Sequence, residues 1–202
     1  MVLMLASCGP SAPAPTPPAA FPSARTPAPT SALPSADASA VKPPAAPAGL
    51  STAESDPAWM QCGSIEFPKP VSWTWVKPTA PFRTLQYAVP GDAELIVSVF
   101  PAGDGGDVNA NVERWAKQFG GPASVKSRAE RQVGDLRVTR VDFEGDFKGM
   151  GMAQARTGMA QLGAIVQGPR QSVFVRVLGA KAVVDAARTQ FDVMVFGVRA
   201  QP

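Results

Sequence analysis

The 202-residue chain contains no histidine at all. That removes Ser-His-Asp and Cys-His catalysis, histidine-ligated metals and the HExxH proteases together, because each needs an imidazole as base or ligand. Cysteine is nearly absent too, with only Cys8 and Cys62, too few for a cysteine-built zinc site. Lysine-assisted serine chemistry would need a Ser-x-x-Lys pair. The candidate, Ser39-Ala40-Val41-Lys42, lies in a segment with nothing around it to hold a reactive geometry. No run of 18 apolar residues occurs, so no stretch of this chain reads as a membrane-spanning helix. Strong charge is also lacking: the net charge is +3. The nearest approach to a basic stripe, Lys126, Arg128, Arg131, Arg137 and Arg140, is interrupted by Glu130 and Asp135. It reads as the solvated face of two strands, and no nucleic-acid partner is expected.

What is present falls into three parts. Residues 1–8 end in Leu5-Ala6-Ser7-Cys8, the pattern of a lipobox: an apolar residue, two small ones, then the cysteine that receives lipid. Only seven residues precede Cys8 and none is basic, so as a secretory signal the stretch is incomplete. Either the natural start lies upstream or the pattern is a coincidence; the small and turn-forming residues that follow favour the first. Two or three acyl chains at ~0.8 kcal/mol per buried methylene make a lasting anchor where one is marginal. Gly9 is not the aspartate that retains lipoproteins at an inner membrane. The expected place is therefore the bacterial envelope, on the periplasmic face of the outer membrane.

Residues 9–57 are rich in proline, alanine, serine and threonine, with little to bury against the entropy of ordering. They read as a disordered spacer with polyproline-II character, up to ~150 Å long if fully extended at ~3.1 Å per residue. Residues 58–202 are rich in valine, phenylalanine, tryptophan and leucine, and their number suits one domain with its own core.

Within that domain, alternation predicts strands at 64–67, 72–76, 83–89 and 94–100, the last apolar on both faces and so central. Val108, Val112, Trp115, Ala116 and Phe119 recur at helical spacing behind Asp107 as N-cap, and Gly120-Gly121-Pro122 ends that helix. Hairpins are expected over 126–133 with 135–144, and 158–167 with 172–178. In the second arm of the first, Leu136 and Val138 fall on one face but Val141 and Phe143 on the other. That slip means a bulge or burial on both sides. A closing helix over 181–196 carries Val184, Ala187, Phe191 and Met194 on one stripe and Asp185, Arg188 and Asp192 on a neighbouring one. The order ββββ-α-ββββ-α predicts an α+β fold, an antiparallel-rich sheet covered by helices.

Two stretches carry a family resemblance. IEFPKPVSWTW is similar to the strand, proline and tryptophan start of PsbP-like domains. AELIVSVFPAGDGGDVNANVERWAKQF resembles a segment of uncharacterised bacterial exported proteins grouped near that fold, with Asn111, Arg114 and Trp115 in the matching helix. Over about 60–200, the resemblance implies an α/β/α sandwich with a central, mainly antiparallel sheet. It also implies an accessory or binding module and supplies no catalytic motif.

Three features remain as candidate sites. Asp104, Asp107 and Asn109 share a glycine-rich loop that could hold a cation, or else simply cap a helix. Trp73, Trp75 and Tyr87 could stack a ligand or lie in the core. Met150, Met152 and Met159 could form an adaptable surface or fill a core edge. The functional expectation is a lipoprotein tethered through Cys8, needing no cofactor or metal. Its non-catalytic domain would bind an envelope protein or a small ligand. A carboxylate- or metal-dependent hydrolase centred on Asp104 and Asp107 is the alternative.

Overall fold

A computed structural model describes residues 49–52 and 58–201. The lipobox, Cys8 and most of the spacer lie outside the described residues.

Among the described residues, eleven strands and two α-helices follow one another. The strands are β1 (Gly49–Leu50), β2 (Trp59–Gly63), β3 (Ile65–Pro68), β4 (Thr74–Trp75), β5 (Leu85–Val89), β6 (Ala93–Pro101), β7 (Val125–Val133), β8 (Leu136–Phe147), β9 (Arg156–Gln167), β10 (Gln171–Ala180) and β11 (Arg199–Ala200). Helix α1 (Val108–Gln118) joins β6 to β7, and α2 (Lys181–Phe196) follows β10. Seven strands form the main sheet in the order β4-β5-β6-β10-β9-β8-β7, and a small sheet runs β1-β2-β3-β11. Every pairing is antiparallel. The expected α+β class holds.

The main sheet is buried on both faces, which is why its central strands lack simple alternation. On one face Val138, Leu162, Ala164, Val166, Val173, Val175 and Val177 pack against Val184, Ala187, Phe191 and Met194 of α2 and against Met60, Cys62, Ile65 and Phe67 of the small sheet. On the other, Val141, Phe143, Ile165 and Phe174 meet Val112, Trp115, Ala116 and Phe119 of α1. The slip within β8 is therefore double-sided burial: Val138 serves one core, and Val141 and Phe143 the other.

Helix α1 begins where its cap chemistry says it should. The Asp107 side chain accepts from the backbone N–H groups of Asn109 (2.8 Å) and Ala110 (3.1 Å). It ends as the Gly121 N–H reaches back to the Ala116 carbonyl at 2.8 Å, with both Gly120 and Gly121 at positive φ. This is the left-handed exit that glycine supplies without steric cost. Above the sheet, Trp115 fits because Gly163 has no side chain: a Cβ there would lie 2.8 Å from the indole ring.

The folded unit begins earlier than residue 58. β1 pairs Gly49 with Gly63 and Leu50 with Cys62. The buried Ser51 hydroxyl accepts from the Gln61 N–H at 2.7 Å. A strand of two residues contributes backbone pairing and little apolar side chain, so composition assigns it to the spacer.

One further placement differs from the sequence reading. Arg140 does not belong to a solvated stripe. It is 5 % exposed and lies on the α2 face of β8, bonded to Asp142 and, at 2.8 Å, to Asp192 of α2. Arg188 of α2 also binds Asp142 and reaches Asp185 at 3.0 Å, so the part-exposed charged stripe of α2 docks on a buried ion pair. Arg131 lies over the Phe196 ring at 4.2 Å but stays exposed, as do Lys126, Arg128 and Arg137. Cys62 is fully buried, and burial pushes its thiol far above the ordinary range. It is held protonated out of reach of a second chain, which rules out an intermolecular bridge from the folded state.

Candidate functional site

α1 covers only the β8–β10 part of its face. Beyond it, on β5 and β6, Gln86, Ala88 and Glu94 point to the same side and remain half-buried or exposed. Here the sheet forms the floor of an open groove of about 570 Å³, within the usual size range for small-ligand clefts. Val76, Ala88, Met159 and Leu178 supply its apolar wall, and Ser72, Thr74, Gln86, Asp92, Glu94 and Arg156 its polar groups.

Glu94 is already engaged. Arg83 grips it with both guanidinium nitrogens, Nη1 to Oε2 at 2.7 Å and Nη2 to Oε1 at 3.3 Å, while Gln86 Nε2 donates to Oε2 at 3.1 Å. A two-pronged arginine contact fixes the carboxylate in place. Glu94 thus helps to shape the groove.

Beside this pair stands Arg176, on the α1 face of β10 between Phe174 and Leu178. Its guanidinium lies over the Trp115 ring at 5.7 Å and donates from Nη1 to Gln118 Oε1 at 3.3 Å. Burial first, then the like charge of Arg83, brings its pKa down to about 10, with Arg114 adding to the effect and Glu94 opposing it. Arg114, on the exposed side of α1, donates to Asn111 Oδ1. Asn111 in turn fixes the glycine loop, giving its Nδ2 hydrogens to the carbonyls of Gly105 and Asp107, each at 2.8 Å.

The residues singled out in the sequence fall differently. Asp104, Asp107 and Asn109 are exposed, and the Asp107 carboxylate is committed to capping α1. Among the described residues no three His, Cys, Asp or Glu side chains are gathered as a metal would need. Trp73 and Tyr87 are fully buried, Trp73 donating Nε1–H to Gln190 of α2 at 3.1 Å. Trp75 is half-buried against the same core, so the three are not an exposed stacking surface. The methionines divide: Met159 is core and lines the groove, Met152 packs beside α1, and Met150 is exposed.

No protein-family model and no curated protein matches the chain. Among solved structures it is similar to cyanobacterial PsbP (CyanoP) from Synechocystis sp. PCC 6803, with TM-score 0.48 and 14 % identity over 68 % of this chain and 86 % of that one. It is also similar to LpqN of Mycobacterium tuberculosis, a protein involved in cell envelope biogenesis, with TM-score 0.44 and 16 % identity over 68 % of this chain and 83 % of that one. At these identities and TM-scores neither likeness says anything of this chain's function.

Proposed function

We propose that the chain is a lipid-anchored protein of the bacterial envelope whose folded domain binds a partner without chemistry of its own. The observation that carries this reading is the sequence order itself. A lipobox ending at Cys8 is followed by a proline- and alanine-rich spacer, and the spacer leads into a domain with an independent core. In this reading the acyl chains on Cys8 hold the protein to the outer membrane. The spacer sets how far the domain can reach, and the groove beside β5 and β6 is where an envelope protein or small ligand docks. No helix among the described residues is long and apolar enough to cross a membrane.

Fractionation of cells expressing the protein from its natural start tests this reading. The wild type is expected in the membrane pellet and extracted only by detergent. Cys8→Ser is expected in the soluble fraction, because without acyl chains nothing in the proposed mechanism retains it. Identical partitioning of the two would refute the anchor.

A further inference from the structure

Three charged side chains line the groove beside β5 and β6: Asp92, Glu94 and Arg156. Glu94 is answered within the protein, by Arg83 and Gln86. Asp92 and Arg156 are not. Both are exposed, and among the described residues neither side chain takes part in an ion pair or hydrogen bond. One open cavity of about 570 Å³ therefore holds a free carboxylate and a free guanidinium that do not neutralise each other.

The fold keeps these two charges apart. Asp92 closes the turn Pro90-Gly91-Asp92, which joins the paired Val89 and Ala93 of β5 and β6. Its φ of 67° is a left-handed value that aspartate tolerates. The turn rests closely on α2, since a Cβ on Gly91 would lie 3.0 Å from Val183. Arg156 opens β9, and β10 runs between β6 and β9 in the sheet. At ~4.8 Å for each strand spacing, the two backbones stand ~10 Å apart or more. The same groove holds the hydroxyls of Ser72 and Thr74, likewise without a partner among the described residues, and the apolar wall of Val76, Ala88, Met159 and Leu178.

We infer that the groove binds a short peptide by its two free ends, the N-terminal ammonium at Asp92 and the C-terminal carboxylate at Arg156. About three residues at ~3.3 Å each span the separation. A single amino acid holds its opposite charges closer together and fits it less well. A ligand of one sign would gain at one of the two charges and lose at the other. Arginine's fork suits a terminal carboxylate. A peptide also brings amide groups for the two hydroxyls and side chains for the apolar wall, the mixture of contacts that small-ligand clefts supply. This assignment rests on the reading of the domain as a module that docks its ligand in this groove, and it is independent of the lipid anchor.

The test is titration of the ¹⁵N-labelled full chain with trialanine, N-acetyl-trialanine and trialanine amide. It is followed at the backbone amides of Ala88, Gly91 and Gly179, which line the groove. Trialanine is expected to shift these resonances with saturation at millimolar concentration. Blocking either end should weaken binding roughly 3–10-fold, the scale of one charge-assisted bond discounted for solvent. Asp92→Asn should weaken trialanine by a similar factor yet leave N-acetyl-trialanine unchanged. Arg156→Gln should weaken trialanine too and leave the amide unchanged. Both positions are exposed, and asparagine accepts the left-handed backbone of position 92, so both variants keep the fold.

Groove shifts of equal affinity for the free and blocked peptides would overturn the peptide-end site while leaving the groove as a docking place. No saturable shift at these amides with any of the three probes would overturn both together. Neither result bears on how Cys8→Ser partitions.

Discussion

Replacing Trp115 with alanine is expected to destabilise the folded domain by ~3–5 kcal/mol, the usual loss for emptying a large aromatic site. Trp115 is 3 % exposed. Its ring meets Phe143 and Phe174 edge-on, with centroids at 6.2 Å in both pairs, and such edge contacts add to area burial. The hole cannot close easily. The sheet below is stiff, and the nearest floor is Gly163, which has no side chain to move into the space. Chemical denaturation of the wild type and the variant, compared at equal m-values, reads the effect. Unchanged stability would show that α1 does not pack on this sheet face through Trp115.

The second large effect lies on the opposite face. Asp142→Ala is expected to cost ~3–5 kcal/mol, the range for breaking a buried pair by removing one partner. The Asp142 side chain is 8 % exposed. It receives Arg140, Arg188 and, at 2.8 Å, the Ser127 hydroxyl. Burial lowers the Arg140 pKa and Asp192 raises it in opposition; removing Asp142 would leave this buried guanidinium short of an anion. Without Asp142 it would retain only Asp192, whose side chain is 38 % exposed. Asp185→Ala, at the solvent edge of the same network, is the control and should cost under ~1 kcal/mol. If the two variants melted alike, the network would be surface decoration rather than the joint between α2 and β8.

The helices were legible because each carries a full apolar stripe with punctuation at its ends. The α1 stripe and its Asp107 cap appear at the residues read from sequence, as does α2 from Lys181 to Phe196. The double burial of β8 was legible too, as the slip between Val138 and Val141. The small sheet was not. β1 and β11 are two residues long and join through the backbone, and β2 places Met60, Gln61 and Cys62 together in the interior without alternation. Nor could the arginines be sorted. Arg140 sits among four surface basic residues in sequence, and what buries it is an α2 aspartate some fifty positions away. The aromatic and acidic residues that stand out in the sequence proved to be core and helix cap. The groove is lined mostly by side chains with no motif.

The central claim, a binding domain held to the envelope through Cys8, is tested most directly by intact-mass spectrometry. The protein would be expressed from its natural start and extracted from membranes with detergent. The mature chain is expected to begin at Cys8 and to carry the added mass of a diacylglyceryl group, with or without a third acyl chain. A chain retaining Leu5-Ala6-Ser7 with an unmodified Cys8 thiol would contradict it.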